Sequence, residues 1–349
     1  MNINKIMNEK SHATLLVNLG SPKELDKKSV REYLKIFLSD DYVVDIPKII
    51  QQLILRLFIL PFRPKTTLHA YKQIWRKDGS PLIVSTYKIA EKLSKKTKSK
   101  VSVAMRYEEP SIKDALIELR EEGYENITVA PLYPHNAMAT VITTQVEVMK
   151  ISKECFPDAN IKFIEPFYGN PMYIDAMVKS IKPYLENNNF EKLIFSYHGI
   201  PERQARKTDE TGSHCFESED CCEQNTLGSK DCYKSHTVKA SNQIANSLGL
   251  DDDRWEIAYQ SRIGPGWLKP FTDKRLASLP NEGKKSIAVV CPSFISDCLE
   301  TLEEINIRGR NTFIDAGGEE MTYIPCLNET DLTIELIQDL VKKVKNNFA

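Results

Sequence analysis

No apolar run in this chain reaches the roughly 18 to 20 residues that a membrane-crossing helix needs, so a helical span does not organise it. Net charge is missing as well. Against 47 basic side chains stand 48 acidic ones, and a formal charge of −1 leaves no electrostatic footprint for nucleic acid. The N-terminus MNINKIMNEKSHATLLVNLG lacks an apolar core followed by a small-residue cleavage site, so no secretory signal is expected and a cytoplasmic location is. Low-complexity tracts and short-period repeats are also lacking.

What is present is globular material in an amount that suggests about two domains, at roughly 150 residues each, for 349 residues. Short β-rich runs alternate with amphipathic stretches in two sets. ATLLVNL (13–19), VSVAMRY (101–107), NITVAPLY (126–133) and IKFIEPF (161–167) form the first; KLIFSYH (192–198), WEIAYQS (255–261), SIAVVCPS (286–293) and MTYIPCL (321–327) form the second. These runs are apolar on both faces, as strands of a helix-covered parallel sheet must be. The predicted fold is therefore α/β: two similar Rossmann-like lobes, each a four-stranded parallel sheet flanked by helices.

Gly169, Asn170 and Pro171 break the pattern, which places lobes at 1–175 and 176–327. A final segment, 328–349, reads as a helix that returns to the first lobe. Asn328 or Thr330 would cap it, and Lys342, Lys343 and Lys345 suit its negative end. IPKIIQQLILRLFILPFRP (46–64) is dense in Ile, Leu and Phe but carries Gln51, Gln52 and Arg56 with basic flanks. It fits an interfacial, lid-like helix; the alternative is a helix buried in the core.

Ligands of open α/β folds bind beyond the carboxyl ends of the strands. The residues there include Asn18, Gly20, Arg106, Tyr107, Tyr133, His135, His198, Gln260, Ser261 and 292–297, with one strand-end histidine in each half, which suggests one cleft between two lobes. A neutral imidazole at His198 could accept a proton or bind a metal, and Gly199, without a Cβ, would let a flat ligand approach. The alternative is a hydrogen-bonded packing histidine. Asp297, Glu300 and Glu304, spaced by three and four, would form one carboxylate stripe on a helix, fit for proton or cation traffic; the alternative is a solvated helix face.

Seven stretches, NLGSP (18–22), AYKQIWRKDGSPL (70–82), MRYEEP (105–110), APLYP (130–134), FSYHGIP (195–201), YQSRIGPGWLKPFTD (259–273) and CPSFISDCLETLEEI (291–305), resemble the ferrochelatase family in order and spacing. The resemblance implies a chelatase fold, Fe2+ as a substrate, and its insertion into a free-base porphyrin with release of two protons; protoporphyrin IX is the favoured substrate, with the choice against coproporphyrin III left open by the residues. His198 matches the family's proton acceptor and metal ligand and Glu300 its acidic partner, with Asp297 and Glu304 continuing a route for protons or iron. Leu19, Tyr71, Ser80, Arg106 and Tyr107 match porphyrin-contacting positions, and 46–82 matches the porphyrin lip, which implies peripheral membrane contact through 46–64. Leu19 stands where some relatives carry methionine. Other readings of the same residues are a cobalt chelatase, and a tetrapyrrole- or iron-binding protein without turnover.

Residues 210–233 look like an insertion. Cys215, Cys221, Cys222 and Cys232 supply four thiols in eighteen residues, similar to bacterial ferrochelatases with an internal four-cysteine segment and a [2Fe-2S] cluster. Zinc, with His214 and His236 as further donors, and unmetallated thiols are the competing readings. Cys155, Cys291, Cys298 and Cys326 are scattered and read as small buried groups.

Overall fold

Runs rich in Val, Ile, Leu and Ala between polar turns fold as strands, and the computed structural model, which describes residues 12–187 and 190–348, holds eight of them among those residues. They are β1 (His12–Asn18), β2 (Lys100–Met105), β3 (Asn126–Pro131), β4 (Asn160–Phe163), β5 (Lys192–His198), β6 (Trp255–Gln260), β7 (Ser286–Val290) and β8 (Glu320–Ile324). Residues 1–11, on which the absence of a signal sequence was argued, lie outside the described residues. Every strand pairing is parallel, and the sheets run β2-β1-β3-β4 and β6-β5-β7-β8. The expected pair of four-stranded parallel sheets with flanking helices is what forms.

Two compact units divide the chain. The first takes Met1–Tyr133, Met138–Glu165 and Asn328–Ala349; the second takes Pro134–Ala137 and Pro166–Leu327. In the first, β1 is buried at all seven positions, and Leu15, Val17, Ile127 and Val129 pack against Leu116 and Leu119, which lie three apart on the helix Ile112–Glu121. Burying one such side chain contributes about 2 kcal/mol. The helix Asp331–Lys345 begins with Thr330, whose hydroxyl accepts the Thr333 N–H, and buries Ile334, Ile337 and Val341. Glu329, just before it, accepts from Ser85 at 3.0 Å, and Glu335 pairs with Lys96 at 2.9 Å, so the helix is fastened to Pro81–Thr97. The second unit repeats the plan with Ile194, Val289, Leu276, Ile305, Phe313 and Met321.

Within the first unit, 46–64 is not a core helix. It runs as a helix Lys48–Ile54, a π-helical turn Leu55–Ile59 and the start of a helix Leu60–Ile74. Ile49 is 85% exposed, Phe58 64% and Phe62 69%, while the polar Gln51 is buried and donates to the carbonyls of Asp40 and Val44. The polarity is inverted because the segment closes over a loop whose carbonyls need a donor. Among the described residues no helix is long and apolar enough to cross a membrane.

Candidate functional site

His198 ends β5, the strand that lies between β6 and β7. Its Nδ1 sits 2.7 Å from the Gly199 carbonyl oxygen. A carbonyl only accepts, so Nδ1 carries the proton of the neutral ring and Nε2 keeps its lone pair. The ring is half-buried beside Phe294. Gly199 itself faces protein: a Cβ there would stand 2.7 Å from the Gln260 carbonyl and 3.3 Å from the Trp267 ring. The expected approach of a flat ligand over Gly199 is thus replaced by close packing against the neighbouring chain. Pro201 turns the chain into the short helix Glu202–Lys207.

The end of β6 holds the acidic segment. Gln260 accepts from Ser196 at 2.8 Å and donates to the Glu300 carbonyl at 2.7 Å. Ser261, with φ of 61°, turns both its N–H and its hydroxyl onto the Glu304 carboxylate, at 2.8 and 2.5 Å. A non-glycine residue in that conformation costs about 1 kcal/mol, here offset by two hydrogen bonds to a carboxylate.

The predicted single stripe of Asp297, Glu300 and Glu304 does not form. It required one regular α-helix from 297 to 304, whereas the helix starts at Leu299 and becomes π-helical over Leu302–Gly309. Asp297 lies ahead of the helix cap, 4% exposed, and accepts from Tyr323 at 2.5 Å, Thr301 at 3.2 Å and the Cys326 N–H at 3.3 Å. It is an anchor in the core. Glu300 remains in the first helical turn beside Cys298, whose thiol is pushed well up by burial and then by that carboxylate.

Of the two strand-end histidines, His135 belongs to the second unit as well. It is buried among Tyr168, Tyr173, Tyr197 and Tyr233, and burial, with His236 beside it, holds its pKa far below the ordinary imidazole range.

In the first unit Arg106 and Tyr107 follow β2 and turn to one acceptor, Asp40, which sequence reasoning missed. Its carboxylate takes the Arg106 guanidinium at 2.6 Å, the Tyr107 phenol at 2.7 Å and the Thr143 hydroxyl at 2.6 Å. Burial then raises Tyr107 far above the phenol range, so it stays a donor. Leu19 is half-buried, its carbonyl accepting the Tyr107 N–H at 2.9 Å. Tyr71 is buried with its ring edge-on to Trp75, and Ser80 is buried at the start of Pro81–Thr97.

The four clustered cysteines are all buried, with Sγ–Sγ separations of 3.7 Å for Cys215 and Cys232 and 3.8 Å for Cys221 and Cys222. Burial, together with neighbouring thiols, pushes Cys215 and Cys222 up to about 12. His236 is not free to join them, since its Nδ1 takes the Asn136 N–H at 3.2 Å and its Nε2 donates to the Lys230 carbonyl at 2.6 Å, whereas His214 donates from Nε2 to the Cys221 carbonyl at 2.8 Å and turns Nδ1 to the Thr226 hydroxyl at 3.4 Å. Of the two expected histidine donors for zinc, His236 therefore drops out. Among the described residues no three His, Cys, Asp or Glu side chains gather as a set able to hold a metal ion.

Comparison with known proteins gives a concordant picture. The family model for ferrochelatase matches residues 11–345. A ferrochelatase of Pseudomonas fluorescens (strain SBW25) is 42% identical over 321 residues, covering 91% of this chain and 94% of that protein. One from Azotobacter vinelandii (strain DJ / ATCC BAA-1303) is likewise 42% identical with the same coverage. Among solved structures, SirB from Bacillus subtilis with Fe3+ matches at a TM-score of 0.56 and 10% identity, over 97% of this chain and 96% of that one. The sirohydrochlorin chelatase SirB from Bacillus subtilis subspecies spizizenii, in complex with cobalt, matches at 0.52 and 12%, also over 97% and 96%. The last two likenesses establish the fold alone.

Proposed function

This chain belongs to the ferrochelatase family and is an enzyme that inserts iron into porphyrin to make haem; from that premise we propose that His198 takes the pyrrole protons and meets the incoming Fe2+. The observation that carries the assignment is the Nδ1–H bond to the Gly199 carbonyl, which leaves Nε2 as a base of fixed orientation. Glu300, next in the same unit, supplies the carboxylate that offsets the positive charge His198 acquires. Glu304, held by the Ser261 N–H and hydroxyl, receives protons or iron on their way. Imidazole and carboxylate together bind Fe2+ without the grip that a full ligand set would impose on a metal meant to leave.

Arg106 offers a cation, restrained by Asp40, to a porphyrin propionate, and Tyr107 keeps it in place. Leu19, Tyr71 and Ser80 contact the macrocycle, and the exposed Ile49, Leu57, Phe58 and Phe62 form its apolar lip. Such a lip favours protoporphyrin IX, with two propionates, over coproporphyrin III, with four. The same side chains, flanked by Lys48, Arg63 and Lys65, suit shallow contact with an anionic bilayer. Protein that stays in the supernatant with anionic vesicles at low salt would exclude that contact.

Among the described residues no set of three ligands gathers on one metal, but the four thiols lie as two close pairs, and on that pairing we propose that the cysteine segment holds a [2Fe-2S] cluster. Two thiolates on one tetrahedral metal with bonds near 2.3 Å stand about 3.8 Å apart, and two such pairs serve two irons. When bound, the cluster would supply a one-electron couple. Colourless protein from anaerobic purification, free of acid-labile sulfide, would rule it out.

The deciding experiment is anaerobic Fe2+ insertion into protoporphyrin IX and coproporphyrin III side by side, for the parent protein and for His198→Ala. Turnover that requires His198, and faster with protoporphyrin IX, is expected. Full turnover in the variant would remove His198 from the chemistry.

A further inference from the structure

Strand β5 outruns its neighbour. Its pairing with β7 stops at Phe195 and Val290, while its pairing with β6 continues to His198 and Gln260. The Gly199 N–H goes to the Gln260 carbonyl on the β6 side at 2.8 Å, so the N–H and C=O of His198 point the other way, where β7 has ended. Two side chains stand in for the missing strand. The Tyr233 phenol donates to the His198 carbonyl at 2.8 Å, Ser293 Oγ lies 2.8 Å from the same phenol oxygen, and the His198 N–H reaches Ser293 Oγ at 3.4 Å. A phenol has one proton, so Ser293 must donate to Tyr233. The result is a closed circuit of hydrogen bonds that leaves from and returns to the backbone of His198.

Tyr233 has a second allegiance. It is the first residue of the helix Tyr233–Leu248, and the residue before it, the N-cap, is Cys232, whose sulfur lies 3.7 Å from that of Cys215. The phenol is 4% exposed and its ring packs edge-on to His135, so it has little room to move independently of its backbone. We propose that Tyr233 is a positioning residue for His198 and couples the cysteine segment to the catalytic centre. A substitution at the Cys232 sulfur moves the first turn of the helix and, through the phenol, the peptide that carries the imidazole. This rests on His198 being the proton acceptor.

The test measures kcat and KM for the porphyrin anaerobically in Tyr233→Phe, Ser293→Ala, Cys232→Ser and the Tyr233→Phe/Cys232→Ser pair, with His198→Ala alongside. Tyr233→Phe is expected to lower kcat about tenfold with KM within twofold, since misplacing a catalytic group by a fraction of an ångström costs rate more than binding. Ser293→Ala should act in the same sense, and serves alone if the tyrosine variant fails to fold. Cys232→Ser should lower kcat in the parent and add nothing once Tyr233 is Phe. Parent-like kcat in Tyr233→Phe or in Ser293→Ala overturns the positioning role. Equal losses from Cys232→Ser in both backgrounds overturn the coupling. Undiminished turnover in His198→Ala would instead defeat the assignment of His198 itself.

Discussion

Asn18 and His198 occupy the same place in their two sheets, and only one of them is left with something to do. Each ends the strand that lies second in its sheet, and each is followed closely by a glycine pressed against the adjacent chain: a Cβ on Gly20 would come within 1.9 Å of the Tyr107 carbonyl, and one on Gly199 within 2.7 Å of the Gln260 carbonyl. The Asn18 amide spends both ends locally, donating to Thr86 at 3.0 Å and accepting the Leu19 N–H at 2.8 Å. The imidazole spends one nitrogen on Gly199 and keeps the other. A topology delivers a polar side chain to the strand end; whether it becomes a reactive group depends on how many of its hydrogen-bonding atoms the neighbours consume.

The sharpest way to press this contrast is to remove the group that is left over. His198→Ala is expected to lower kcat about a thousandfold, in the range for a general base, with folding unaffected in a urea titration. The next largest effect should come from the opposite extreme, a carboxylate whose partners are all engaged. Asp40→Ala would leave Arg106, Tyr107 and Thr143 buried without their acceptor and is expected to cost about 4 kcal/mol of stability. Glu304→Ala, which releases only Ser261, should cost about 1 kcal/mol. Equal urea midpoints for these two variants would break the comparison.

Two of the three buried histidines among the described residues, one in each unit, extend it to pH. Burial, reinforced by Lys345, lowers His12 to about 4; burial, with Lys239 adding to it, lowers His236 to about 4, both from 6.5. Above 6.5 the folded and unfolded chains are both neutral at these sites and the contribution to stability is full. Between 6.5 and 4 the unfolded chain takes the protons first, so stability falls with pH, by at most about 3 kcal/mol per histidine, and no further below 4. Urea midpoints at pH 7.5 and 5 should therefore differ, and His12→Gln should flatten the dependence in part. A slope unchanged in that variant would mean that His12 takes its proton in the folded state as readily as in the unfolded.

The sheets were legible in the sequence because a strand covered on both faces must be apolar throughout, and eight such runs match eight strands with ends displaced by a few residues. The strand-end location of His198 was legible for the same reason. The acidic segment was not: counting by three and four assumes an α-helix from its first residue, and neither the start at Leu299 nor the π-helical turn after Thr301 announces itself in SDCLETLEEI. Asp40 was out of reach for another reason. Three of its partners lie 66, 67 and 103 residues away, and its one local contact, the Tyr42 N–H at 2.8 Å, is a turn bond that does not distinguish it from a solvated loop acid.

The smallest predicted effect is the control that gives the first its meaning. Asn18→Ala removes the amide that bridges Thr86 and Leu19, leaving one hydroxyl and one N–H to find other partners, at a cost of about 1 kcal/mol of stability. Because both ends of that amide are already engaged, kcat should stay within about twofold. A variant folded as well as the parent but as inactive as His198→Ala would show that a satisfied side chain at the strand end also does chemistry. The count of unspent hydrogen-bonding atoms would then be the wrong way to find a reactive group in this fold.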